Sequence, residues 1–283
     1  MKLSRAAKAK INLFLDVGDK REDGFHDLVS VMQSVTLADT VSLTTGGANG
    51  GIYVVCDDDS LSGRGNLVYT AAESFFSATG IPPRGVRFEI EKKIPVAAGL
   101  AGGSTDAAAA LLLLNEAYGG LLDEDSIMRV ASNLGSDVPF CIHGGTRLAR
   151  GRGEKLSRID SKCTLDLLIV NGGKGVSTPE AYGALDEAGE REHRTPDRLI
   201  ACLENGDADG AAPGLFNSFE TVIIGSHPEA TEARKIMKEN GGVPLLCGSG
   251  PSVFAVFRDL SARSRTAELL SSKGYRVFEC ETE

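Results

Sequence analysis

The sequence predicts a two-domain α+β protein. The chain has 283 residues, which is close to the length at which single hydrophobic cores stop growing and chains divide into domains. Alternating segments typical of half-buried strands occur in both halves, mixed with segments of helical periodicity, which favours α+β over a doubly wound parallel sheet. A charged, glycine-punctuated stretch at 151–162 separates the halves. We therefore predict domains at residues 1–160 and 161–283.

Charge and cysteine content exclude several classes of protein. The 30 Lys and Arg residues against 39 Asp and Glu residues give a net charge of -9, which argues against a surface for nucleic acid or anionic membrane. Six cysteines form no CxxC pair and show no ligand spacing with the four histidines, so no metal ligand is assigned. The chain shows neither a signal-peptide pattern nor an apolar run of membrane-spanning length. We expect a cytoplasmic monomer or homodimer that acts on a small molecule.

The first predicted strand projects two polar side chains from one face. Residues 7–17, AKAKINLFLDV, place small or apolar residues at the odd positions and mostly polar ones at the even positions. This period of two predicts a half-buried strand. Lys10 and Asn12 therefore point the same way, and a charged turn at 18–27 leads to a partner strand at 28–45.

The other elements are predicted from periodicity bounded by glycine, proline and polar residues. Residues 107–118 are apolar on nearly all sides, so this helix is expected to be central and buried. A Gly/Asp-rich loop is predicted between 45 and 66. The remaining elements are helix 66–79, strand 85–94, helices 107–118 and 124–134, strand 165–170, helix 178–186, helices around 195–225 and 228–240, strand 252–257, helix 260–272 and strand 275–279.

The segment PVAAGLAGGSTDAAAAL, residues 95–111, is a glycine-rich loop that enters the central helix. Such a loop binds phosphate, because glycines let the backbone approach the ligand and the first helical N–H groups attract an anion. It matches neither the Walker A nor the dinucleotide fingerprint. The residues alone equally allow an ordinary turn in which Ser104, Thr105 or Asp106 caps the helix.

The same loop resembles the phosphate loop of the GHMP kinases, P-x-x-x-G-L-G-[SG]-S-[SG]-A. More narrowly, it is similar to P-x-x-x-G-L-G-G-G-S-S-D-A-A, the form of those members that act on a cytidine diphosphate-linked methylerythritol. Ala101 replaces a glycine of that pattern and restricts positive φ, so a local shift of the loop is compatible with binding; Thr105 replaces a serine. The resemblance implies that ATP, with Mg²⁺, is bound by Asn66, Pro95, Gly99, Leu100, Ala101, Gly102, Gly103, Ser104 and Thr105, although Asn66 is locally also a helix N-cap.

Further stretches match the same family in order along the whole chain. They are AKAKINLFLDV, KREDGFHDLVSVMQSVTLADTV, LGSDVPFCIHGG, GKGVSTPEAY, LFNSFE and LLCGSGPSVFAVF. Each motif is weak alone, but the ordered set is specific. The resemblance implies a two-domain GHMP kinase fold, with an N-terminal domain like the second domain of ribosomal protein S5 and a ferredoxin-like C-terminal domain.

The resemblance assigns the chemistry to Lys10 and Asp137. Asp137 is implied to accept the proton of the substrate hydroxyl, and Lys10 to orient Asp137 and stabilise charge on the transferred phosphoryl group. Phosphoryl transfer depends on positioning and electrostatic stabilisation, so this division of roles is physically reasonable. The residues alone also allow a helix-capping Asp137 and a solvated strand Lys10.

The resemblance places the substrate on Asn12, Phe25, His26, Asp137 and Thr178. His26 is implied to hydrogen-bond a cytosine while the Phe25 ring stacks on that base, since an imidazole has donor and acceptor positions and a phenyl ring has a stacking face. Locally, Phe25 can equally be a turn residue whose ring folds onto the sheet. The resemblance implies ATP-dependent phosphorylation of the 2-hydroxyl of the cytidine diphosphate-linked methylerythritol. Two competing functions are another small-molecule kinase of the family, of the homoserine or mevalonate type, and a catalytically inactive nucleotide-binding module.

Overall fold

A computed structural model describes residues 1–47, 50–172, 175–189 and 192–283. The strands are β1 Lys2–Lys20, β2 His26–Thr45, β3 Ile52–Cys56, β4 Val86–Glu91, β5 Thr146–Gly151, β6 Lys155–Arg158, β7 Asp166–Asn171, β8 Phe216–Asn217, β9 Val243–Leu246, β10 Val253–Phe257 and β11 Arg276–Glu281. The α-helices are α1 Leu67–Thr79, α2 Gly102–Ala117, α3 Glu124–Leu134, α4 Val138–His143, α5 Thr178–Glu187, α6 Asp197–Asn205, α7 Ala208–Ala211, α8 Glu220–Ile223, α9 Pro228–Glu239 and α10 Leu260–Ser272. This mixture confirms the α+β class.

The chain forms two compact units, each built from separate segments. Unit 1 comprises Met1–Ala9, Ala38–Ile94 and Ala101–Gly144, and unit 2 comprises Lys10–Leu37, Pro95–Leu100 and Gly145–Glu283. The long strands β1 and β2 contribute residues to both units. The division into contiguous domains at residues 1–160 and 161–283 stays a prediction.

Unit 1 packs helices against β3, β4 and the end of β2. The end of β2 pairs antiparallel with β4, and β4 pairs parallel with β3. Alternate residues of β4 are buried, as the period of two predicts, and they join the core with α1, α2, α3 and the start of α4. Residues 105–111 of α2 are all buried, so the prediction of a central helix is confirmed. This burial fixes the direction in which α2 presents its N-terminus.

Unit 2 contains an antiparallel sheet in the order β11-β7-β10-β9. Every residue of β10 is buried, because the strand is central in the sheet and joins a core that includes side chains of α5, α9 and α10. In the same unit β2 pairs with β5, β5 with β6, and β1 runs parallel to β8. These pairings hold the polar face of β1 in place.

Several elements differ from the sequence predictions. The loop predicted between 45 and 66 contains β3, and the charged stretch at 151–162 forms the turn and second strand of the β5–β6 hairpin. In both cases glycine and charge mark the turns, while the short strands gain their stability from pairing with distant residues. Helix α2 begins at Gly102 rather than at 107, because tertiary packing outweighs the poor helix propensity of two glycines. The helical region 195–225 is divided into short pieces.

Candidate active site

The N-terminus of α2 lies at the end of the glycine-rich loop and has no side-chain cap within the described part of the chain. Its N-cap residue is Ala101, with φ 58° and ψ 29°. The first intrahelical hydrogen bond runs from the Thr105 N–H to the Ala101 carbonyl, at 2.9 Å. The N–H groups of Gly102, Gly103 and Ser104 therefore have no carbonyl one turn earlier. This is the arrangement that binds an anion.

The capping alternative considered for Ser104, Thr105 and Asp106 does not hold, since all three lie inside α2. Thr105 instead donates its hydroxyl to the Lys8 carbonyl at 2.7 Å, which ties the helix start to β1. A Cβ placed on Gly103 would meet no atom within 4 Å. The backbone at Gly103 is consequently open on that side. The residues fit a bound phosphate group.

A buried cluster of Asp39, Lys92 and Asp106 lies beside the start of α2 in unit 1. Lys92 donates its ammonium to Asp106 Oδ2 at 2.7 Å and also to Asp39 Oδ2. Asp39 Oδ1 accepts the N–H groups of Lys93 and Ile94, at 2.5 and 2.8 Å. Asp106 is 2% exposed, and its Oδ1 has no hydrogen-bond partner among the described residues.

The cluster perturbs the pKa of two of its members. Burial raises the pKa of Asp106 to about 7; Lys92 opposes this rise and Asp39 adds to it. For Lys92, burial lowers the pKa, but the two carboxylates outweigh that effect and leave the pKa above its ordinary value. Sequence reasoning missed this cluster. A carboxylate at 106 followed by an apolar run was the available signal.

Lys10 and Asn12 lie on one face of β1 in unit 2, as predicted. Lys10 is 6% exposed, so the alternative of a solvated lysine is wrong. Its ammonium donates to Asn12 Oδ1 at 2.9 Å. Asn12 in turn donates to Ser30 Oγ at 2.8 Å, and Ser30 donates to the Phe14 carbonyl at 2.7 Å. This chain of hydrogen bonds fixes the direction of the ammonium group.

The first part of the glycine-rich loop packs closely against a second glycine turn in unit 2. The Lys10 N–H donates to the Leu100 carbonyl at 3.2 Å. A Cβ on Gly99, which has φ +78°, would lie 1.9 Å from the Cys247 carbonyl oxygen. A Cβ on Gly248 would lie 3.6 Å from Asn12 Oδ1. The predicted residues Lys10, Asn12, Gly99 and Leu100 are thus brought together, and Pro95 is buried in the same unit.

His26 is buried against α5, whereas its neighbour Phe25 is exposed. His26 Nε2 lies 2.7 Å from Asp186 Oδ1, and its ring stacks on that of Tyr182 with centroids 4.9 Å apart. Phe25 is 52% exposed, with the Arg152 guanidinium 4.7 Å from its ring centroid. The alternative that Phe25 folds onto the sheet is therefore wrong. About half of Phe25 remains exposed to solvent.

Helix α5 supplies two residues to this region that the sequence reasoning did not assign. Thr178, Tyr182 and Asp186 follow each other at intervals of four and so share a face of the helix. Burial raises the pKa of Asp186, but hydrogen bonds from His26 and Lys20 outweigh it and lower the pKa. The signal for Tyr182 was the aromatic position of the motif GKGVSTPEAY; the first two residues of that motif, at 173 and 174, lie outside the described residues. Thr178 is exposed at the first position of α5.

Asn66 and Asp137 both lie in unit 1. Asn66 caps α1, since its Oδ1 accepts the Val68 N–H at 2.9 Å and its Nδ2 donates to the Leu61 carbonyl at 2.8 Å. Asp137 occupies the N-cap position of α4, but its carboxylate makes no capping hydrogen bond there. The capping alternative for Asp137 is therefore wrong. Its side chain is half-buried.

Metal-binding clusters and membrane-spanning helices are both absent from the described ranges. No group of three or more His, Cys, Asp or Glu side chains is placed there to hold a metal ion. None of the helices described is both long enough and apolar enough to cross a membrane.

Comparison with known proteins identifies the family. The model of the GHMP kinases N terminal domain matches residues 66–145, and that of the GHMP kinases C terminal region matches residues 199–276. The chain belongs to the GHMP kinase family. The resemblance predicted from the ordered motifs is confirmed, and with it the GHMP kinase fold.

Individual GHMP kinases match over almost the whole chain. A 4-diphosphocytidyl-2-C-methyl-D-erythritol kinase of Pelotomaculum thermopropionicum is 41% identical over 268 residues, covering 94% of this chain and 93% of that protein. The crystal structure of a 4-(cytidine 5'-diphospho)-2C-methyl-D-erythritol kinase matches with a TM-score of 0.85 and 33% identity, covering 99% of both chains. Homoserine kinase from Cytophaga hutchinsonii matches with a TM-score of 0.77 at 18% identity, covering 100% of this chain and 94% of that one. This last match shows a shared fold only.

Proposed function

We propose that this GHMP kinase transfers the terminal phosphoryl group of ATP to the 2-hydroxyl of 4-diphosphocytidyl-2-C-methyl-D-erythritol, a step of non-mevalonate isoprenoid synthesis. The observation that carries the proposal is the 41% identity, over 94% of the chain, to a kinase named for that substrate. The match to homoserine kinase is far weaker in sequence, at 18% identity. The chain also keeps both Lys10 and Asp137, which a nucleotide-binding module without activity does not need.

The start of α2 is the proposed site for the phosphates of ATP. The N–H groups of Gly102, Gly103 and Ser104 would donate to phosphate oxygens, and the helix dipole adds to the attraction. The Thr105 hydroxyl donates to the Lys8 carbonyl. Thr105 is therefore proposed to support the loop rather than to contact the phosphates. Asn66 is proposed to lie near the adenine, because it matches a nucleotide-binding asparagine of the family. Its side-chain atoms also cap α1.

Magnesium is proposed to accompany ATP. Mg²⁺ usually keeps several waters and is held by substrate phosphates with one or two carboxylates rather than by an all-protein cage. A site of that kind needs no three-residue acidic cluster, and the described residues contain none. When bound, the ion neutralises charge on the phosphate oxygens.

Lys10 and Asp137 are the proposed catalytic residues. The Lys10 ammonium is buried and oriented by Asn12, so its charge is poorly screened and its direction is fixed. We assign it the stabilisation of charge on the transferred phosphoryl group. Asp137 would accept the proton of the substrate hydroxyl, and its carboxylate is not consumed in capping α4. Both roles are of the kind that phosphoryl transfer requires.

The cytidine end of the substrate is proposed to bind beside Phe25 and His26. Phe25 presents an exposed ring suited to stacking on a base. His26 is held by Asp186 and Tyr182, which orients its imidazole before a ligand arrives. Thr178 lies on the same helix as these two supporting residues. We also propose that the protein acts in the cytoplasm, in keeping with its six free cysteines.

The test is ADP release in the presence of ATP, Mg²⁺ and the candidate acceptors. The acceptors are 4-diphosphocytidyl-2-C-methyl-D-erythritol, the same compound without its cytidine, homoserine and mevalonate. Turnover that requires the cytidine is the expected result. Turnover of homoserine or mevalonate alone would contradict the proposed substrate, and ATP binding with no turnover of any acceptor would favour the inactive module.

A further inference from the structure

The cluster of Asp39, Lys92 and Asp106 contains more negative than positive charge. Two carboxylates share one ammonium group, so the cluster carries a net charge of −1 when both are ionised. Asp39 and Asp106 are 0% and 2% exposed. A buried charge without a counterion is costly, and side chains in that situation commonly neutralise.

The hydrogen bonds show which carboxylate is able to hold a proton. Asp39 accepts from Lys92 through one oxygen and from two backbone N–H groups through the other. Both oxygens of Asp39 are therefore already occupied by donors. Among the described residues, Asp106 accepts from Lys92 through Oδ2, and its Oδ1 has no hydrogen-bond partner. A proton on Asp106 Oδ1 therefore balances the charge without displacing a hydrogen bond.

The groups that face Asp106 support the same assignment. Asp39 faces it from β2 and Lys92 from the segment that follows β4, and these two residues supply the charge and hydrogen-bond contributions to its titration. Burial is the largest influence and raises the pKa of Asp106 to about 7. Near neutral pH both protonation states are consequently populated.

The cluster contacts the chain at two points of unit 1, one just before the glycine-rich loop and one at the start of α2. Asp39 holds the backbone at Lys93 and Ile94, where the loop begins. Lys92 Nζ lies 3.3 Å from the position that a Cβ on Gly102 would occupy, where α2 begins. An anion on the first N–H groups of α2 would thus lie close to the cluster, and its charge would raise the proton affinity of Asp106.

We propose that Asp106 is a positioning residue that takes up a proton when an anionic nucleotide binds at the start of α2. This inference rests on the proposed function of the loop. With Asp106 protonated, Lys92 is balanced by Asp39 alone and the cluster no longer repels the phosphates. Since linkage is reciprocal, nucleotide binding and protonation each strengthen the other.

Isothermal titration calorimetry of ATP with Mg²⁺, without acceptor, measures the proton directly. The binding enthalpy is recorded at about pH 8 in buffers of different ionisation enthalpy, and its slope gives the protons taken up. If ATP raises the pKa of Asp106 by one unit, from about 7 to about 8, the uptake is about 0.4 proton. Asp106→Asn should bind ATP with an uptake of about zero. Asp125→Asn, a change at an exposed carboxylate on α3, should keep the wild-type value.

A second measurement follows the pH dependence of the wild-type protein. The uptake by the wild-type protein should fall towards zero below about pH 6, where Asp106 is already protonated. In steady-state assays the KM for ATP should rise by up to about 25-fold between about pH 6.5 and pH 8.5 if only the protonated form binds. The KM of Asp106→Asn for ATP should not change over the same pH range. If Asp106 had a merely structural role, the pH dependence of the KM would remain in the variant.

The outcomes separate the inference from the function on which it rests. Binding of ATP with no proton uptake, or with equal uptake in wild type and Asp106→Asn, overturns the role of Asp106 and leaves the nucleotide site intact. Absence of any ATP binding by the wild-type protein refutes the proposed nucleotide site, and the inference fails with it. Proton uptake that is lost in Asp106→Asn but kept in wild type and in Asp125→Asn establishes the coupling between nucleotide binding and protonation of Asp106.

Discussion

Replacing Ala101 by glycine is expected to stabilise the protein without weakening nucleotide binding. Ala101 has φ 58°, in the left-handed region that L-residues other than glycine seldom adopt. The family pattern has a glycine at this position, whereas this chain adopts the left-handed conformation with an alanine. The strain is thus local to one residue and is removed by deleting one methyl group.

The expected gain is the difference between two opposing free energies. An L-residue in the left-handed conformation costs about 1–2 kcal/mol. Glycine loses about 0.4–1 kcal/mol more conformational entropy on folding than alanine. The net stabilisation is about 0.8 kcal/mol, and a change of that size raises Tm by roughly 2 °C for a chain of this length.

Chemical denaturation and calorimetry of Ala101→Gly measure this free energy of unfolding. Ala97→Gly provides a second case, because Ala97 has φ 52° in the same loop. Ala78→Gly is the matched control, since Ala78 is exposed in α1 and the change should destabilise by about 0.5–1 kcal/mol through helix propensity. If Ala101→Gly destabilises the protein as much as Ala78→Gly, the backbone strain assigned to Ala101 is wrong.

The remaining predictions concern the nucleotide site and the catalytic pair. Gly103→Ala should leave stability equal or about 1 kcal/mol higher, because a Cβ there meets no atom within 4 Å and alanine favours a helix. It should nevertheless raise the KM for ATP about tenfold or more, because the added methyl group would lie where the phosphates are proposed to bind. Gly183→Ala, at an equally open position in α5, should leave that KM unchanged. Lys10→Met and Asp137→Asn should each lower kcat by about 10²–10⁴-fold with ATP binding retained. The double variant should be little worse than the poorer single one if both residues serve the same step, and simple multiplication of the two losses would refute that reading.

Local periodicity predicted the elements whose stability depends on their own sequence. The common face of Lys10 and Asn12 and the bounds of α3 follow from periods of two and of 3.6 residues. The strand β3 and the hairpin of β5 and β6 were missed, because short glycine-flanked strands are stabilised by pairing with distant partners. No local pattern in the sequence predicts such a pairing.

The candidate site likewise contains residues that local motifs predict and residues that only tertiary packing brings in. The ordered motifs located Lys10, the glycine-rich loop, His26 and Asp137. They did not locate Asp186 as the partner of His26, since the two are separated by 160 residues. The pairing of Asp39 with Lys92 spans 53 residues. Partners of this kind are defined by tertiary packing, and a motif records only the residue that faces the ligand.

The supports of the glycine-rich loop explain why it tolerates an alanine at 101. In unit 1 the backbone before the loop is held by Asp39, and the start of α2 is tied to β1 by Thr105. In unit 2 the Lys10 N–H holds the Leu100 carbonyl, and Gly99 lies against Cys247. Contacts on both sides of Ala101 together outweigh a strain of about 1–2 kcal/mol. A loop whose shape depended on glycine at 101 alone would have lost the left-handed conformation, so the conformation seen at Ala101 indicates that the surrounding contacts, and not the consensus sequence, set the shape of the proposed phosphate site.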